Sequence, residues 1–181
     1  MVGDIKKIHI IGSVASGKTT LARKLSGELN LPYHELDNVV WKRHQSGDIR
    51  RTEEERAEYL KGIVGMEGWI MEGVHNEWWV EESFRHADVI IFLDTNYNVR
   101  TYRIIKRFIL QKLRLENAHY TPTFRIFLKM FKWNKYFEEN GKPHFFQAFE
   151  EVQDKVLKVS TIKELDQRLT SLRSNSSVEN K

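Results

Sequence analysis

At 181 residues the chain has room for about one domain at ~150 residues each, large enough to bury a core without disulfide or metal staples. Hydrophobic residues make up 40% and charged residues 30%, with 3 prolines and 10 glycines, which is the profile of a globular protein and excludes a disordered or collagen-like chain. The absence of cysteine excludes a disulfide framework, thiolate-bound zinc, iron–sulfur ligation and a cysteine nucleophile, and suits a reducing cytoplasm, which is the expected location. Lys plus Arg (29) exceeds Asp plus Glu (25), a balance that admits a polyanionic partner without choosing between nucleotide, nucleic acid and membrane surface. Few apolar residues precede Gly12, too few for a signal-peptide core or a membrane span, so neither export nor a membrane partner is expected.

The first element is a β-branched run from Lys7 to Ile11 that stops at Gly12, as a buried strand entering a turn does. Leu21, Ala22, Leu25 and Leu29 then recur at helical spacing from Lys18 to Leu29, with Pro32 beyond the end. Tyr33 to Leu36 reads as a second strand ending at Asp37, and Thr52-x-x-Glu55 as a capping box opening a helix to Val64. Trp69 to Met71 is a third strand, ending at Glu72-Gly73, and the wholly apolar Val89 to Leu93 is a fourth, ending at Asp94. Val156 to Val159 is a fifth, followed by a helix from about Thr161 to Leu172 and a polar tail, 174–181. Continuous apolar strands alternating with helices predict a parallel sheet covered on both faces. The stretch 98–149 is helical, basic and aromatic, and reads as a helical insertion between the fourth and fifth strands of one domain spanning 1–173.

Gly12-Ser13-Val14-Ala15-Ser16-Gly17-Lys18-Thr19 satisfies the G-x-x-x-x-G-K-[ST] pattern, with a strand before it and a helix after it, and Thr20 follows. Glycines let the backbone wrap so that its N–H groups converge on a phosphate, and the helix N-terminus adds positive potential. Lys18 then bridges the outer phosphate oxygens, and the Thr19 hydroxyl ligates magnesium. ATP and Mg2+ are therefore the expected ligands. A guanine-reading Asn-Lys-x-Asp is not present. Asn134-Lys135-Tyr136-Phe137 lacks the carboxylate that would pair with the base and reads as an ordinary helical segment. A chain of this length hardly accommodates a larger ATPase machine, which leaves a small kinase or a nucleotide-gated binding module.

The order of Walker A, Asp37 after the second strand, Glu72-Gly73 after the third, Asp94 after the fourth and then an arginine-rich helix resembles the small P-loop kinases of the adenylate, shikimate and gluconate kinase group. More narrowly, Leu36-Asp37 with Trp41, Trp69-Ile-Met-Glu72-Gly73, Arg85-x-Ala87-Asp88-x-Ile-Ile-Phe-Leu-Asp94 and the run Arg100 to Arg107 are similar to the adenylate-kinase-related "DNA topology modulation" (FlaR-like) proteins. The resemblance implies an α/β P-loop NTPase fold of three layers, with a five-stranded parallel sheet in the order 2-3-1-4-5 and a helical lid. It also implies an ATP-dependent phosphotransferase with an undefined small acceptor. Glu72 stands where such proteins usually carry Asp, and Ala15 where many carry Gly; alanine suits that place if its φ is negative.

Candidate roles follow, each beside an ordinary one. Asp37, at a strand's carboxyl end beside the cradle, is a base or orienter for the acceptor hydroxyl, or orders magnesium through its bound water, or else is an N-cap. Glu72 would hold magnesium through water or contact substrate, or make structural hydrogen bonds. Asp94 reads as the cap of the helix that follows it. Arg100, Arg103 and Arg107, at i, i+3 and i+7, share a helical face that either clamps phosphates, most directly through Arg103 and Arg107, or is solvated. Arg85 is a candidate for an anionic group of the acceptor. Trp41, Trp78 and Trp79 either line a pocket or pack in core or lid. His9, His34, His44, His75, His86, His119 and His144 show no metal-ligand spacing and are assigned ordinary roles. The rival to the kinase reading is a nucleotide-dependent nucleic-acid-binding regulator using the basic aromatic stretch from Tyr97 to Lys135.

Overall fold

The computed structural model describes residues 5–42, 44, 47–115 and 123–168. The polar tail 174–181, the end of the last predicted helix, His119 and the segment 116–122 within the predicted insertion lie outside them. Strand β1 (Lys7–Gly12) runs into the glycine loop, and helix α1 (Lys18–Leu29) leaves it. Then follow β2 (Tyr33–Glu35), the short α2 (Leu36–Val40), an antiparallel ribbon of β3 (Trp41–Lys42) and β4 (Ile49–Arg50), and α3 (Glu53–Val64). Strand β5 (Trp69–Gly73) is followed by a 3-10 turn and α4 (Glu81–His86), then β6 (Val89–Leu93) and α5 (Tyr97–Lys112). Helix α6 (Phe124–Tyr136) continues through a π-helical turn, Phe137–Gly141, into α7 (Lys142–Ala148); a 3-10 turn, β7 (Val156–Val159) and a helix over 162–168 complete the described chain.

The sheet order is β2-β5-β1-β6-β7, all pairs parallel, which is the expected 2-3-1-4-5 once the small ribbon is left out of the count. Side-chain alternation along the strands divides the core. Ile8, Ile10, Ile70, Ile91 and Leu93 face α1 and the last helix, meeting Leu21, Leu25 and Leu165. Ile11, Trp69, Met71, Ile90 and Phe92 face the other side, meeting Leu60 and Ile63 of α3, Phe84 of α4 and Phe145 of α7. Both faces are thus covered, as continuous apolar strands require.

Two local expectations are corrected. The second strand stops at Glu35, and Leu36 begins a helix, because Leu36, Val39 and Val40 all reach the core only at helical spacing. Leu36 packs so closely on β5 that a Cβ on Gly73 would lie 2.8 Å from its own Cβ. Helix α5 is capped by Asn96, whose side chain accepts from the Asn98 amide, so Asp94 is not the cap. Asp94 instead accepts two bonds from Lys142 (2.8 Å) and pairs with Lys158. The capping box at Thr52 and Glu55 is present in both directions.

The insertion folds back over the glycine loop. Ile104 of α5 and Met130 of α6 enclose Ala15, with Ile126, Phe127 and Phe131 against them. Asn134 of α6, fully buried, accepts from the Ser13 hydroxyl (3.2 Å) and donates to Thr101. The Asn-Lys pair of the sequence is therefore a structural tie between helix and loop. Among the described residues no helix is long and apolar enough to cross a membrane.

Candidate functional site

The site begins where β1 meets α1. Gly17 caps α1 with φ 107°, a left-handed conformation that favours glycine, and no side chain caps the helix. The first-turn amides of α1, which have no intrahelical partner, therefore open onto the loop's interior with the positive end of the helix behind them. Gly12 must also be glycine: a Cβ there would lie 2.8 Å from the Leu93 carbonyl and 2.9 Å from Ser16 Oγ. Ala15 corrects an expectation, because its φ is +58°, so its methyl group costs about 1 kcal/mol of backbone strain, offset by its burial under Ile104 and Met130.

Three groups stand at the mouth of this cradle. Lys18 Nζ donates to the Ser13 carbonyl at 2.9 Å. Burial lowers its pKa, helped by Arg107 and Arg100, while Glu72 and Asp37 pull the other way. Thr19 Oγ1 donates to Glu72 Oε1 at 2.5 Å. Glu72, 6% exposed, has its pKa raised chiefly by burial and secondarily by Glu35 and Asp37, against Lys18 and the Thr19 hydroxyl. The third group, Asp37 on the first turn of α2, is an exposed carboxylate 3.6 Å from His75 Nε2.

From α5 come the arginines. Arg103 Nη1 donates to the carbonyls of Ala15 (3.2 Å) and Ser16 (2.8 Å), holding the glycine loop from outside. Arg103 and Arg107 line a cavity of about 580 Å3, together with Thr20, Thr95, Leu110 and Ile162. Arg100 departs from the shared-face expectation. It is fully buried, paired with Glu138 and flanked by the rings of Tyr97 and Phe137.

The structure brings Lys18, Thr19, Asp37, Glu72, Arg103 and Arg107 to one end of the sheet, and it does not bring Arg85 there. Arg85 lies at the end of α4, before β6 begins, paired with Glu81 (2.6 Å) and Glu151 (2.8 Å). That is the end of the sheet opposite the loop. Trp79 is buried, whereas Trp78 is exposed and donates to Glu53.

His75 and Arg56 were not legible as site residues. His75 lies between two carboxylates, with Asp37 at Nε2 and Glu77 Oε2 3.2 Å from Nδ1. Burial pulls its pKa down, yet the two carboxylates outweigh burial and raise it to about 9. Its ring is 5.2 Å from that of Trp79, on which the buried Arg56 guanidinium also rests at 5.7 Å. A continuous wall thus runs from Asp37 through His75 and Trp79 to Arg56. Nothing in spacing announces it, because its members come from α2, the loop after β5, a 3-10 turn and α3.

Among the described residues no group of three His, Cys, Asp or Glu forms a metal cage. Magnesium bound beside a polyphosphate needs none: one hydroxyl, one carboxylate, phosphate oxygens and water suffice. Thr19 and the buried Glu72, already in contact, fit that donor set.

No family model and no curated protein sequence matches the chain. Solved structures do. It is similar to shikimate kinase from Aquifex aeolicus vf5 (20% identity, 94% of this chain and 98% of that one, TM-score 0.53). It is likewise similar to shikimate kinase from Acinetobacter baumannii in complex with shikimate (14% identity, 95% and 94%, TM-score 0.58). A third match is shikimate kinase from Bacteroides thetaiotaomicron (15% identity, 93% and 98%, TM-score 0.56). At these identities the likeness is one of architecture: the chain shares with them the P-loop NTPase fold, a five-stranded parallel sheet between flanking helices.

Proposed function

We propose that the protein is an ATP- and Mg2+-dependent phosphotransferase that moves a γ-phosphoryl group to a small acceptor bearing a hydroxyl or phosphate. The observation that carries this reading is the uncapped N-terminus of α1 behind a left-handed Gly17, with Lys18 and the Thr19–Glu72 pair at its mouth. Lys18, Arg103 and Arg107 stand about the loop, a set of cations that a bound polyphosphate complements.

The glycine-loop amides and Lys18 hold the phosphates, and the cavity between Arg103, Leu110 and Ile162 receives the nucleoside; its volume suits a small molecule. Thr19 and Glu72 would hold Mg2+, which neutralises phosphate charge when bound. Asp37 orients the acceptor hydroxyl and takes its proton as the acceptor oxygen bonds to the γ-phosphorus. The bond from that phosphorus to the bridging oxygen breaks and ADP departs. Arg103 and Arg107 stabilise charge on the transferred group. The insertion over the loop excludes water, limiting hydrolysis. The narrower likeness to the DNA-topology-modulation proteins rests on sequence motifs alone.

Calorimetry with Mg-ATP tests the binding half, with Lys18→Ala expected to lose most of the heat. A coupled assay over nucleosides, nucleotides, sugars and hydroxy acids tests the transfer half. No heat from the unaltered protein with Mg-ATP or Mg-GTP would overturn the reading.

A further inference from the structure

The segment Tyr97 to Tyr136 contains ten Lys or Arg and one acidic residue, Glu116. Of the chain's 29 basic and 25 acidic residues, 19 and 24 remain elsewhere, so the segment carries +9 and the rest of the molecule −5. The nucleotide cavity uses Arg103, Lys106 and Arg107, and Arg100 is buried against Glu138. Lys135 pairs with Glu139 at 3.7 Å, and Lys112, Arg114, Arg125, Lys129 and Lys132 lie outside that site.

The same segment exposes large apolar side chains in a pattern. On α5, Tyr102, Ile105, Ile109 and Leu113 follow one another at three- and four-residue steps and so line one face. On α6, Phe124 and Leu128 do the same. Ile109 is 50% exposed, Leu113 62%, Phe124 62% and Leu128 48%, although Ile104, Met130 and Asn134 on the opposite faces of these helices are buried against the loop. Phe108 joins the two stripes: its ring meets Phe124 edge-on at 6.3 Å and stacks on Phe127 at 4.2 Å. Lys112 lies three residues after Ile109, and Arg125 and Lys132 lie three before and four after Leu128, so cations border the apolar positions.

We propose that this outer face of the α5–α6 hairpin docks on an anionic lipid surface. An amphipathic helix that lies in a membrane interface has this composition: aliphatic and aromatic residues on one face, Lys and Arg beside them. Anionic headgroups supply the complement to Lys112, Arg114, Arg125, Lys129 and Lys132, and the acyl boundary takes Ile105, Ile109, Leu113 and Leu128. Nucleic acid would satisfy the cations and stack on Tyr102 or Phe124, but it offers nothing to four aliphatic side chains. A second copy meeting hairpin to hairpin would oppose two segments of like charge. The docking replaces the sequence expectation of no membrane partner, and it does not depend on the phosphotransfer reading.

The test is co-sedimentation of the full chain with vesicles of phosphatidylcholine alone and of phosphatidylcholine with about one third phosphatidylserine. Binding is expected to the second and not the first, and to weaken steeply with added salt. The doubly substituted Ile109→Glu, Leu128→Glu chain should bind anionic vesicles about tenfold or more weakly, while its Mg-ATP heat and circular dichroism stay unchanged. A Lys112→Glu, Lys132→Glu chain should lose binding with its apolar face intact. The proposal is overturned by absence of binding to anionic vesicles, by equal binding to neutral ones, by a short oligonucleotide that binds more tightly and competes, or by a dimer in sedimentation velocity that the Ile109→Glu, Leu128→Glu chain lacks.

Discussion

Removing the His75 imidazole should make the protein's stability less dependent on alkaline pH. His75 has Asp37 at one nitrogen, Glu77 at the other, and the Trp79 ring with the Arg56 guanidinium behind it. Lys18 in turn acts on Asp37 from across the cradle. The folded pKa of about 9 exceeds the ordinary 6.5. At 1.36 kcal/mol per pH unit, that gap caps the stabilisation at ~3 kcal/mol. Asp37 and Glu77 are more than half exposed, and solvent screening lowers the figure to ~1–2 kcal/mol. The sign follows from a pKa raised on folding: the stabilisation is complete below about pH 6.5 and is lost as pH climbs through about 9. Urea denaturation of the unaltered chain and of His75→Gln, at about pH 6 and about pH 9.5, isolates this one group, since other titrations cancel in the difference. The unaltered chain should be the more stable by ~1–2 kcal/mol at the lower pH and nearly equal at the higher. An unchanging difference would show that the imidazole contributes through packing, not charge, and would refute the argument.

Three further outcomes follow from buried polar groups and one cap. His9 is fully buried, its Nδ1 3.0 Å from Ser83 Oγ and its Nε2 without a partner among the described residues, and burial lowers its pKa to about 3. The unfolded chain therefore binds the proton first, and stability should fall by ~1.4 kcal/mol for each pH unit below about 6.5; His9→Phe should flatten that acid limb in urea titrations. Thr52→Ala removes one half of a capping box whose Glu55 amide bond is 3.2 Å, which should cost ~1 kcal/mol and lower Tm by about 2–4 °C. Asn134→Leu leaves Ser13 and Thr101 without their shared partner and should cost ~1–3 kcal/mol in urea titrations.

The sheet was readable because its signal is local. Val89 to Leu93 is apolar at every position, and its strand occupies the same five residues; a strand buried on both faces leaves no other composition. Thr52 and Glu55 fixed a helix start in the same way. What escaped was short or conditional. Leu36 to Val40 is a five-residue helix, below the length at which periodicity separates from a strand, and only Gly73 beneath it explains why the chain turns there. Ala15 escaped for a related reason: its φ of +58° is imposed by the loop and by the burial of its methyl group, neither of which its identity reveals.

The site divides along the same line. Lys18 and Thr19 follow from contiguous residues whose geometry the loop dictates. The state of Glu72 does not, because its pKa depends on burial, on Lys18, on Thr19 and on two carboxylates from the neighbouring β2–α2 segment. Arg85 and Arg100 show how weak residue type is without place. Both were plausible anion binders, yet one pairs with Glu81 and Glu151 at the far end of the sheet and the other is consumed by Glu138. His75 shows the converse. It has no motif, but lodged between Asp37 and Glu77 it has its pKa raised to about 9, which places a cation 3.6 Å from the Asp37 carboxylate at neutral pH. A carboxylate beside bound phosphates would otherwise be driven to take up a proton, and a protonated Asp37 could not accept one from an acceptor hydroxyl. In the phosphotransfer proposed above, the cation beside that base would be His75, a residue outside every motif, and only the folded chain shows the two together.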